Sequence, residues 1–178
     1  MSNEQVIHDL LDSAWNERRK GAYNKVFQLL EDAKRICRPE DHAALARIDK
    51  IFGQVEADHD RYDNAHFFYK KSLSHYRKTG QQDKIIHTLR HIADLERELG
   101  SFEVAEQHYR EVVFWYRNNP GSGKGNLANS LRGFALVLEV QGKKEEAIQV
   151  WEEVKRFYTE LNLDEGITEA KERLTNLT

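Results

Sequence analysis

The feature that most restricts this chain is an internal repeat with a period near 40 residues. Taking Gly21, Asp60, Gly100 and Gly142 as anchors, the spacings are 39, 40 and 42 residues. Seven residues before each anchor stand Ala14, Gly53, Ala93 and Ala135, and five after stand Val26, Ala65, Ala105 and Ala147. Two after stand Tyr23, Tyr62, Phe102 and Lys144, and nine after stand Leu30, Tyr69, Tyr109 and Trp151. Self-similarity at a fixed period of this size marks a stack of supersecondary units, none of which can bury its apolar face alone.

Helical periodicity fills the space between anchors. Ile86, Leu89, Ile92, Ala93 and Leu95 lie on one face of a helix, as do Ala147, Ile148, Val150, Trp151, Val154, Phe157 and Tyr158 of a second. The small columns suit the crossing of two helices, where a Gly or Ala lets the backbones approach, with the aromatics filling the space beside it. Glycine at the anchor closes the first helix in a left-handed conformation. Asp60 takes that place once, as Asp tolerates turns through its own side-chain bonds. Only two prolines, Pro39 and Pro120, interrupt the chain.

These observations predict an all-α chain, a right-handed α-solenoid of four antiparallel helix pairs with a C-terminal capping helix. The repeats fall at about 3–39, 41–80, 81–120 and 124–162 in a single domain over 1–178. The helix pairs occupy 3–37, 41–78, 82–117 and 125–161, and the cap 163–177 carries its helix over 164–177. On that last helix Ile167, Ala170, Leu174 and Leu177 share a face.

The order of small residue, aromatic, Gly turn, aromatic, Ala and aromatic resembles the tetratricopeptide repeat. Leu95–Tyr109, with Gly100, Phe102 and Ala105, and Val140–Ile148, with Gly142 and Ala147, carry the resemblance best. The ordinary repeat is about 34 residues. The longer period here is similar to that of kinesin light chains and many bacterial regulatory proteins. The resemblance covers nearly the whole chain and implies a fold. The matching residues are structural and imply little about a partner.

In that family the first helix of each pair lines a concave surface, so candidate binding residues lie on those helices beside the small-residue face. Ten residues before the anchors stand Leu11, Lys50, Arg90 and Arg132; thirteen before stand His8, Arg47, His87 and Asn129; six before stand Trp15, Gln54, Asp94 and Leu136. The recurring cations Lys50, Arg90 and Arg132 suit a carboxylate-bearing ligand, since Arg offers carboxylates a two-pronged donor set. Such cations can also serve as a solvated face paired with neighbouring acids. Arg47, His87, His91, Gln54, Asp94, Arg97, Asn129 and Trp15 complete the candidate partner-binding set, with Leu11 and Trp15 making one end apolar. The clamp of Lys, Asn, Asn, Lys and Arg used by chaperone-binding relatives is absent, because its first Lys is Leu11 and its Asn positions are Trp15 and Ile51.

No cofactor, metal site or catalytic group is expected. His87, His91 and Asp94 share a helical face, but no Glu follows the first His and no further ligand stands near. Pro120–Asn126 lacks the Gly and the Ser or Thr of a phosphate-binding loop, since Asn118 and Gly125 occupy those places, and reads as a flexible loop between repeats. Cys37 reads as a small buried helical residue, and a lone cysteine forms no internal disulfide. Acids outnumber Lys and Arg by 30 to 27, which disfavours nucleic acid as a partner. The N-terminal sequence has no basic leader ahead of an apolar segment, and no apolar run exceeds five residues. Neither membrane association nor a signal peptide is expected, and a cytoplasmic setting fits.

The expected function is therefore a non-catalytic scaffold or adaptor that holds an acidic protein or peptide segment in its groove. The alternatives are a peptide-sensing regulatory module and a structural protein that forms a homo-oligomer through its terminal helices or through Phe67, Phe68 and Phe114.

Overall fold

The structure, a computed structural model, describes residues 2–178. Among the described residues the elements are α1 (Asn3–Arg19), α2 (Tyr23–Ile36), α3 (His42–Asp58), α4 (Tyr62–Thr79), α5 (Gln82–Glu98), α6 (Phe102–Asn118), a 3-10 turn (Pro120–Ser122), α7 (Lys124–Val140), α8 (Lys144–Glu160) and α9 (Asp164–Leu177). Two compact units, Met1–Thr88 and Leu89–Thr178, are described separately below; the boundary falls inside α5.

Four hairpin turns and the turn into α9 close in the same way. Ala22 N–H donates to Glu17 O at 3.0 Å and Gly21 N–H to Arg18 O at 2.9 Å, the paired bonds of a Schellman motif. The same pair recurs as Arg61 to Glu56 and Asp60 to Ala57, as Ser101 to Glu96 and Gly100 to Arg97, as Lys143 to Leu138 and Gly142 to Glu139, and as Leu163 to Tyr158 and Asn162 to Thr159. The motif requires a left-handed residue, and Asp60 (φ 56°) and Asn162 (φ 54°) adopt it although neither is glycine. Asp and Asn are the non-glycine types that tolerate this region best.

In the first unit α1 packs on α2, α3 on α4, and α1 and α2 on α3. Ile7, Leu11, Ala14, Val26, Leu30, Ala33, Ile48, Ile51, Phe52 and Val55 form its core. The matched columns explain the fit. A Cβ placed on Gly53 would lie 2.8 Å from Cδ2 of Tyr69, so the aromatic occupies the volume that a side chain at 53 would need. In the second unit α6 packs on α7, α7 on α8, and α8 on α9. Tyr109 and Trp151 are fully enclosed, each contributing on the order of 2–3 kcal/mol through burial of its apolar surface. The cap helix docks by Ala170 and Leu174, both buried.

Three expectations are corrected. Leu11, placed at an apolar end of the groove, is 1% exposed and belongs to the core. Cys37 is not helical: it is the extended C-cap of α2 (ψ 138°), half-buried, with its thiol pushed up by burial and by Asp41. Pro39 follows two residues later, where a helix has to have ended. The segment after Asn119 forms a 3-10 turn in place of a flexible loop, and Lys124 beyond it pairs with Glu160 at 2.7 Å.

Candidate partner-binding residues

In the first unit, α1 and α3 bring Trp15, Arg47 and Lys50 together. They line one cavity of about 230 Å³ with Asp12 and Ile51. Arg47 Nη2 donates to Asp12 Oδ1 at 2.6 Å. Trp15 is 38% exposed, with the Arg18 guanidinium 5.3 Å from its ring centroid. Position 15 thus faces the cavity and solvent. Arg18 is itself held by Asp58 through two hydrogen bonds of 2.8 and 2.6 Å.

Lys50 differs from its neighbours. It is half-buried, makes no ion pair among the described residues, and faces the cations Arg47 and Lys84. Burial first, and those two charges second, push its ammonium down to about 8. Gln54, one turn further along α3, is buried with its Oε1 lacking a partner. His87 lies half-buried on α5 within the same unit.

The candidates in the second unit are held by acids of this chain. Arg90 Nη1 donates to Asp94 Oδ2 at 2.7 Å, and its Nη2 lies 3.0 Å from a ring nitrogen of His91. The other oxygen of Asp94 accepts from the Tyr109 hydroxyl at 2.5 Å. Burial and the Asp94 charge together push that phenol well above its usual range. Asp94 is thus the hub of a partly buried network, with its own side chain 29% exposed and that of Arg90 15%. Arg97 lies against Glu98 at 2.6 Å. Arg132 donates through Nε and Nη2 to the two oxygens of Glu169 on α9, at 2.6 and 2.7 Å, and this hydrogen bonding raises its pKa. Asn129 Oδ1 accepts from the Tyr158 hydroxyl at 3.1 Å. Asn129, Arg132, Tyr158 and Glu169 line a cavity of about 450 Å³ beside the start of α9.

The acids Asp12 and Glu169, which decide how far each cation is neutralised, are not among the residues singled out from the sequence. Their signal is the repeat itself. Asp12 stands 35 residues before Arg47 and Glu169 stands 37 after Arg132. An opposite charge about one period away lies on the corresponding helix of the next pair.

Residues 84–160 match the family described as tetratricopeptide repeat. Among solved structures, the chain is similar to a Podosopora anserina putative kinesin light chain with nearly identical TPR-like repeats. That match has a TM-score of 0.72 at 14% identity and covers 99% of this chain and 96% of the other. BtubC (BKLC) from P. vanneervenii gives 0.63 at 15% identity, covering 99% and 91%. The Rap conjugation gene regulator of the plasmid pLS20, solved in complex with the Phr* peptide, gives 0.68 at 11% identity over 96% of this chain and 58% of that one. At such identities the likeness shows fold alone. The family match over residues 84–160 and the likeness in fold point the same way, to tetratricopeptide-type helix pairs. The fold of the chain is an all-α stack of helix pairs, similar to the long-repeat fold of the kinesin light chain structures. No helix among the described residues is long and apolar enough to cross a membrane.

Proposed function

We propose that this protein is a non-catalytic scaffold or adaptor that works in the cytoplasm and holds an acidic segment of a protein or peptide against the first helices of its repeats. The reading takes residues 1–178 as one functional domain. Tetratricopeptide repeats commonly serve as platforms for protein interaction. One fold relative was solved holding a peptide.

The observation that carries the proposal is Lys50. A half-buried cation with no carboxylate of its own is an incomplete ion pair, and a partner's Asp or Glu side chain would complete it. Trp15 and Ile51 offer that partner an apolar wall beside the charge. Arg90 and Arg132 enter differently: an acidic ligand there has to displace or share Asp94 or Glu169.

The test is fluorescence anisotropy with a labelled library of Asp- and Glu-rich peptides, comparing the wild type with Lys50→Gln and Arg132→Gln. The expected result is salt-sensitive binding, weakened tenfold or more by Lys50→Gln and less by Arg132→Gln, with helicity unchanged. Binding indifferent to both substitutions removes the groove assignment.

A second reading has its own support. Phe67 is 59% exposed and Phe114 71% exposed, two large apolar rings that a second copy of the chain could cover. Self-association through these rings predicts a concentration-dependent sedimentation coefficient that Phe114→Ser or Phe67→Ser reduces. A monomer at all concentrations eliminates it.

A further inference from the structure

The environment of Lys50 has a chemical consequence apart from partner binding. The charged groups that face it come from three helices. Asp12 from α1 is held by Arg47 at 2.6 Å and lies 3.3 Å from His8 Nδ1; Arg47 comes from α3; Lys84 comes from α5. The single carboxylate on the cavity is therefore engaged elsewhere, and the net field at the Lys50 amine is positive. Other lysines of the chain sit on acids. Lys71 lies 3.1 Å from Asp49, Lys124 2.7 Å from Glu160, Lys143 2.6 Å from Glu106 and Lys155 2.5 Å from Glu152. At Lys50 burial and two cations favour loss of the ammonium proton, so at pH 7 about a tenth of this amine carries a free lone pair, far more than in an ordinary lysine.

The cavity also selects what could meet that lone pair. About 230 Å³ admits a small molecule and excludes a bulky nucleotide-bearing carrier. Arg47 on the cavity, though it holds Asp12, and Lys84 nearby, 3.3 Å from Asp83, add the positive charge that attracts an anion, and Trp15 and Ile51 offer a wall to a short alkyl chain. A small acyl group joined to phosphate combines both properties. We propose that Lys50 is a site of acylation by small acyl phosphates, with Arg47 and Lys84 drawing the phosphate in. In the step, the neutral Nζ attacks the acyl carbon and forms a C–N bond. The tetrahedral adduct collapses with cleavage of the bond between acyl carbon and phosphate oxygen, and inorganic phosphate leaves with that electron pair. The nitrogen loses a proton to solvent. The product amide is uncharged, so the modification also removes a half-buried charge that no acid compensates.

The experiment treats the full chain with acetyl phosphate at about pH 7 and follows each lysine by peptide mass spectrometry. Lys50 is expected to acetylate roughly tenfold faster than the exposed Lys70, Lys144 and Lys171, because its neutral fraction is far larger while its intrinsic nucleophilicity is somewhat lower. Raising the pH to about 9 should narrow the gap, since ordinary lysines keep gaining neutral amine while Lys50 approaches saturation. Lys84→Gln, a change at an exposed position, should slow Lys50 severalfold and leave the other lysines unchanged. A neutral acetyl thioester of similar size should show a smaller preference for Lys50. Lys50 acetylating no faster than the exposed lysines overturns the proposal. So does a rate untouched by Lys84→Gln, and an equal preference with the neutral thioester overturns the choice of acyl phosphate.

Discussion

Lys50 in the first unit and Arg90 and Arg132 in the second occupy the same repeat position, ten residues before an anchor, yet their charges are in different states. Arg132 lies in a two-pronged grip on Glu169, and Arg90 is locked with Asp94 beneath the Tyr109 hydroxyl. Among the described residues Lys50 pairs with no acid, and it faces two cations. A repeat thus fixes where a side chain sits, while the residues one period away decide whether its charge is available.

The sharpest way to break this contrast is to remove the hub of the closed network. Asp94→Ala leaves the enclosed Tyr109 hydroxyl and the largely buried Arg90 without their acceptor. A loss of about 3 kcal/mol is expected in urea unfolding; a loss below about 1 kcal/mol would mean that water replaces the carboxylate easily. Next in size is Gly133→Ala, whose new Cβ would run into the Tyr109 ring. Displacing that ring should cost on the order of 2 kcal/mol by thermal denaturation.

Lys50 should behave in the opposite sense. Lys50→Met removes an uncompensated charge and keeps the stem, so stability near neutral pH is expected to hold or to rise by up to about 1 kcal/mol. The wild type carries a matching pH signature. Its folded Lys50 titrates near 8, against about 10.4 for an unfolded lysine. Between those values the unfolded chain binds more protons, so the Lys50 contribution to stability rises with pH through that window. From pH 7 to 9 the gain is about 1 kcal/mol, and it should vanish in Lys50→Met. An identical pH slope in both proteins would show that Lys50 titrates normally. The smallest effect belongs to Glu169→Gln. Arg132 is 40% exposed and its partner 25%, so the pair contributes about 0.5–1 kcal/mol, and that loss should shrink in high salt.

The fold was legible because its determinants repeat. Ala14, Gly53, Ala93 and Ala135 and the partners of these columns are steric requirements, and steric requirements recur in every copy. Even Asp60 could be placed in a turn from its position alone, and the cap helix emerged from the spacing of Ile167, Ala170 and Leu174. The cations could be found by the same register, but their pairing could not, because Asp12 and Glu169 satisfy them from 35 and 37 residues away. Leu11 and Trp15 show a second limit. Both lie on the apolar side of α1, yet one is enclosed and the other is not. Rotation by four residues on a helix decides between them, and column matching at that resolution says nothing about which side a neighbouring helix will cover.

The recurring turn has an implication for anyone redesigning the chain. All five closures use backbone groups for both of their bonds, so the side chain at the left-handed position contributes no bond to the motif. Where glycine stands the geometry is relaxed; at Asp60 and Asn162 it carries a local strain of about 1 kcal/mol. Asn162 is therefore the place where a glycine substitution would harden the protein against heat while leaving the helix faces as they were, whereas at Asp60 glycine would also remove the bond that its Oδ1 accepts from the Tyr62 hydroxyl at 2.8 Å.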